Sequence, residues 1–266
     1  MDFFEDRLVQ SGFEYGDMLG EMLYDGERPL VKALFDGGAR GLVRLGVSVE
    51  LGARACGVEA LALAAVGYGP FAIVEEGRRQ KKGGAREVLG WVREDSRFDG
   101  KKTKSREDLL RDQGLRQVVL EYVDAWNVED IKTALEEGQR AAVELFLSTE
   151  KRFDSSVAQL VSATHAVRVL LPTVPANWHT RFLRQWWLFF ITTYILCSRP
   201  ELNASRVSDL NFDGRDWRVV TDRALRSRWS NDAQFVHGEL TCNVVLVLAN
   251  IVSSMSCHQS RVRNMV

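Results

Sequence analysis

The amino-acid sequence predicts an all-α fold in a single domain. Apolar residues recur at i, i+3, i+4 and i+7 through most of the chain, the spacing of one helix face. The stretch 157–202 reads as two buried helices joined by a short proline-bounded turn. A connection that short favours antiparallel neighbours, so the expected architecture is a multi-helix domain around a central antiparallel helix pair. No self-similarity marks a repeat array.

The chain has 266 residues, enough for one sizeable core. Apolar residues make up 45% and charged residues 27%, ordinary values for a soluble globular protein. A net charge of −1 favours neither nucleic acid nor an anionic membrane as a partner.

Residues 1–25 read as an acidic amphipathic helix with Phe3, Phe4, Leu8, Met18, Leu19, Met22 and Leu23 on its apolar side, interrupted by Gly12 and Gly16. DGERP then turns the chain. The run GLVRLGVSVEL is ambiguous, because Leu45, Val47 and Val49 alternate as in a strand. Val58 to Val66 is rich in Ala and Leu and helical. The glycines nearby have neither GxGxxG nor P-loop spacing, so nothing supports a nucleotide cradle. Residues 76–108 form a polar, basic surface loop region with a short helix at Ala85 to Asp95. Its lysines lack interleaved aromatics and read as solvated rather than as a nucleic-acid patch. Leu109 to Ser148 is helical with core-facing apolar stripes.

The central stretch holds two of the four histidines, three of the seven tryptophans and three of the five prolines. Its first helix is expected over Ser155 to Leu171, ended by Pro172 and Pro175, which lack an N–H and disfavour α geometry before them. Asn177 has the residue type of an N-cap for the second helix. That helix carries Phe182, Leu183, Trp186, Trp187, Phe189, Phe190, Tyr194 and Ile195 and stops before Pro200. His165 and Arg168 lie three apart and share a helix face. With Arg184, Gln185 and Arg199 they are the few polar groups in apolar surroundings. Such groups form either a structural polar network or a pocket lining, because an unpaired buried charge is costly.

Beyond it, NFDGRDWRVV suggests a turn, and a last long helix is expected from near Asn231. Cys56, Cys197, Cys242 and Cys257 form no CxxC motif. The start, MDFFEDRLVQ, is acidic and lacks the apolar core of a secretory signal. Trp186 to Cys197 and Leu240 to Met255 are too short or too polar to span a bilayer, which takes about 20 apolar residues. The expected location is cytoplasmic.

HAVRVLLP, RQWWLFFITTYILCSRPEL, GRDW and DSRFDG resemble the fungal questin oxidase-like family. The resemblance implies an oxygenase of Baeyer–Villiger or ring-cleaving type acting on aromatic polyketides such as anthraquinones. It further implies non-haem iron or NADPH as cofactor, although no motif in the sequence supports either. The implied substrate pocket comprises Arg168, Arg184, Trp186, Trp187 and Tyr194, and the small aromatic substrate is the expected partner. His165 is the implied metal ligand, with His237 as a second candidate.

Three departures from the family pattern weaken that site. Arg44 stands where relatives show a histidine, and an arginine stays protonated. The late segment reads Asp232-Ala233-Gln234-Phe235-Val236-His237, with Gln234 at another histidine position. The family's His-rich N-terminal segment has no counterpart here either. The resemblance therefore predicts a shortened or degenerate relative and a poor catalyst, the alternative being an inactive helical protein that binds a ligand or partner.

Overall fold

The helix α10, His179–Leu196, is buried almost all round, with Phe182, Leu183 and every residue from Trp186 to Tyr194 inside the protein. A helix apolar on every side must sit in a core. The computed structural model describes residues 2–12, 14–71, 82–100, 103–149, 154–203, 217–227 and 230–231. Among these, the α-helices before α10 are α1 (Asp2–Gln10), α2 (Tyr15–Tyr24), α3 (Asp36–Leu51), α4 (Arg54–Val66), α5 (Ala85–Glu94), α6 (Arg106–Arg111), α7 (Gln113–Ala125), α8 (Ile131–Ser148) and α9 (Ser155–Leu170). A further helix, α11 (Trp217–Arg226), follows α10. Single 3-10 turns cover Leu30–Ala33, Ser96–Phe98, Leu171–Thr173 and Ala176–Trp178. The described residues contain no strand, only an isolated bridge between Gly83 and Trp126. The fold is all-α, as expected, and no described helix is long and apolar enough to cross a membrane.

Around α10 pack α5, α6, α7, α8 and α9. On α8, Gly138 makes room for Trp186: a Cβ there would lie 2.4 Å from the indole. The Trp186 Nε1–H donates to Thr164 Oγ1 on α9 at 3.2 Å, joining the two central helices. Trp187 stacks on Trp126 with centroids 4.6 Å apart. From α6, Arg106 donates to Thr193 Oγ1 at 2.9 Å and lies 4.5 Å over the Phe189 ring.

A second group, α3, α4 and α9, packs beside this centre. At Gly46 the backbones come close, since an added Cβ would meet the Ala166 Cβ at 2.8 Å. The alternation at Leu45, Val47 and Val49 is therefore not a strand. Leu42, Leu45, Gly46 and Val49 also recur at helical spacing, and the tight approach to α9 fixes the helix. Its first turn is irregular: Gly37, Gly38 and Ala39 all take left-handed angles.

Other boundaries moved for local reasons. The expected N-terminal helix is two, separated at Gly12, which adopts φ 67. The run 109–148 is broken by N-caps: Asp112 accepts from Leu115 N and Asp130 from Lys132 N, each at 3.0 Å. Asn177 is no N-cap but lies inside the Ala176–Trp178 turn, and α10 starts after Trp178. Residues 211–216 of the expected turn, Gln234, His237 and the expected last helix beyond Asn231 lie outside the described residues.

Candidate functional site

Helix α2 presents Tyr15, Gly16, Leu19, Gly20, Leu23 and Tyr24 along one face at i, i+4 spacing. That face lines a cavity of about 410 Å³, within the roughly 300–1,000 Å³ of small-molecule sites. Leu45 and Val49 of α3, Leu170 of α9 and Phe182 of α10 form facing walls. No heavy atom lies within 4 Å of a Cβ built on Gly16 or Gly20, so the two glycines border open space. Each costs about 1 kcal/mol of helix stability relative to alanine. The helix gives up that stability and leaves the cavity wide.

The walls carry little polarity. Tyr15 is fixed by a 2.6 Å hydrogen bond between its hydroxyl and Ser48 Oγ. Burial raises the Tyr15 pKa, and the Ser48 bond offsets part of that shift. Burial also pushes the Tyr24 phenol up to about 12. The Thr173 hydroxyl donates to the Leu170 carbonyl at 2.8 Å.

A polar chain joins α3 to α9. His165, almost fully buried, places Nε2 3.1 Å from Glu50 Oε2. Its Nδ1 lies 3.2 Å from Arg168 Nη2. Arginine carries donors only, so Nδ1 accepts and the ring proton sits on Nε2, donating to Glu50. The Arg168 Nε is buried without a hydrogen-bond partner among the described residues.

The other predicted site residues stand elsewhere. Trp186 and Trp187 are 0% exposed and Tyr194 1%, all inside the core around α10. None of the three lines the cavity beside α2. The Trp187 indole N–H has no hydrogen-bond partner among the described residues, and the Tyr194 hydroxyl donates to the Pro200 carbonyl at 2.8 Å. Arg184, half-buried on α10, lies near Lys82, whose pKa falls through burial and this like charge. Arg44 is exposed and pairs with Glu59 at 3.4 Å.

These positions test the implied cofactors. No three His, Cys, Asp or Glu side chains converge on a point among the described residues. Among the described residues Glu50 is the acidic group hydrogen-bonded to His165, and the second imidazole nitrogen is taken by the Arg168 guanidinium. A dication at His165 would have one carboxylate, Glu50, to hold it and the Arg168 charge beside it, which is unfavourable. The described residues alone therefore do not fit an iron ion.

The described residues thus form an all-helical fold with an open apolar cavity whose volume falls in the range of small-molecule sites. Residues 1–237 match the family model described as questin oxidase-like, and the chain belongs to that family. Comparison with curated proteins found no match.

Sequence reasoning missed two features. The stripe at 15, 16, 19, 20, 23 and 24 was readable as one helix face, but its glycines read as interruptions. Glu50 gave no signal, because it lies 115 residues from His165 in the chain.

Proposed function

We propose that the chain is an oxidoreductase whose substrate is a planar aromatic polyketide, such as an anthraquinone, held in the cavity beside α2. The cavity carries this reading: it is apolar, of small-molecule size, and bordered by two glycines that leave room for flat rings. Family membership supports the reaction class. A Baeyer–Villiger step inserts one atom of dioxygen beside a ketone carbonyl. The other atom leaves as water, with two electrons and two protons from an external reductant.

A second reading has a specific observation behind it. The Glu50–His165–Arg168 chain is internally satisfied at the imidazole, which suits a ligand-binding relative without turnover. One experiment separates the two. Purified protein is incubated with a panel of hydroxyanthraquinones, NADPH and Fe(II), while oxygen consumption, product mass and ligand binding are measured. Oxygen uptake with a product heavier by one oxygen atom supports the oxygenase. Saturable binding without turnover supports the second reading, and absence of both overturns the cavity's role.

A further inference from the structure

We infer that the Tyr24 hydroxyl is the group that recognises the ligand in this cavity, donating a hydrogen bond to a ring carbonyl of a flat fused-ring ketone. The inference rests on the proposed use of the cavity and adds the recognising residue and the ligand feature it reads.

Three side chains lining the cavity bear polar atoms: Tyr15, Tyr24 and Thr173. Two are tied down, Tyr15 to Ser48 and Thr173 to the Leu170 carbonyl. Tyr24 makes no hydrogen bond to any described residue, yet it is half-buried against apolar walls. Packing alone does not require a phenol there. The ring sits 5.8 Å from Trp178, which itself lies under the Arg181 guanidinium at 5.5 Å. Phenylalanine would make that aromatic contact equally well, whereas the Tyr24 hydroxyl is not fully buried and stays open to a ligand. A ligand that covers this hydroxyl takes it out of water, which is unfavourable unless the ligand itself accepts or donates a hydrogen bond there.

Helix geometry sets what that partner must be. Side chains on an α-helix lean toward its N-terminus and cover the preceding turn. On α2, position 24 therefore covers the turn that contains Gly20, where open space begins. A flat ring system lying along Gly16 and Gly20 would bring its edge to the phenol. Raised by burial, the Tyr24 phenol stays protonated at neutral pH and offers a donor. The matching ligand atom is an acceptor on a ring edge, as in a quinone carbonyl.

The test uses two probes of the same shape, 9,10-anthraquinone and anthracene, which differ in the carbonyl oxygens. Binding of each to wild type and Tyr24→Phe is followed by fluorescence, with circular dichroism melts confirming that both proteins are folded. The expected result is that Tyr24→Phe weakens anthraquinone binding about three- to tenfold, the worth of one net hydrogen bond, and leaves anthracene unchanged. If both probes bind wild type and the substitution shifts neither, or both equally, Tyr24 does not read the carbonyl, while the cavity keeps its proposed use. If neither probe binds wild type, the proposed use of the cavity falls and this inference with it.

Discussion

The hydroxyl of Tyr15 meets Ser48 Oγ at 2.6 Å in a space that exists because residue 57 is glycine. A Cβ at that position would lie 1.4 Å from the Tyr15 oxygen. One missing methyl on α4 thus lets α2 dock through its first residue and close one side of the cavity. Gly57→Ala must push Tyr15 out. It is expected to cost about 1–3 kcal/mol in a urea melt, the range for overpacking a tight site. A variant as stable as wild type would show that Tyr15 does not hold α2.

Gly20→Ala should act in the opposite direction. The added methyl enters open space, and helix propensity improves by about 1 kcal/mol. The expected outcome is a higher midpoint of thermal unfolding together with weaker ligand binding. A gain in stability with no loss of binding would separate the glycine from the site.

Trp187→Ala removes a ring that is 0% exposed and stacked on Trp126, and should cost about 3–5 kcal/mol. Leu225→Ala, at a side chain 65% exposed, should stay within about 0.5 kcal/mol. Equal losses in matched denaturant melts would contradict the packing described around α10.

Acid stability should depend on Asp95. Burial pushes its carboxyl pKa up, but hydrogen bonds from Arg97 and Tyr122 outweigh burial and lower it from 3.8 to about 2. The folded value lies below the unfolded one, so this stabilisation is fully present above 3.8 and is lost as pH falls through about 2. The difference in stability between wild type and Asp95→Asn should therefore shrink across that window in urea melts. A difference independent of pH would remove Asp95 from the account.

Helix α9 was legible almost to the residue, because Pro172 and Pro175 stop it and its apolar spacing is regular. The interior place of α10 was legible from its unbroken aromatic and aliphatic run. The start of α10 was not, because Asn177 has the right chemistry for a cap but sits in a 3-10 turn beside Pro175. The break at Asp112 was hidden by apolar periodicity that continues across it. The site was legible only by half. One wall is a local face of α2, whereas the other comes from α3, α9 and α10 and exists only after folding. Trp186 and Trp187 drew attention as large aromatics, and their size places them in the core, where they stack and fill.

If the cavity beside α2 holds a flat aromatic ligand, filling the cavity must block that ligand. Wild type and Gly20→Phe are titrated with 9,10-anthraquinone, each checked for folding by circular dichroism. The expected result is saturable one-to-one binding to wild type and at least about tenfold weaker binding to the folded variant, a loss of about 1.4 kcal/mol. Equal affinity for the two proteins, or no binding to wild type, would contradict it.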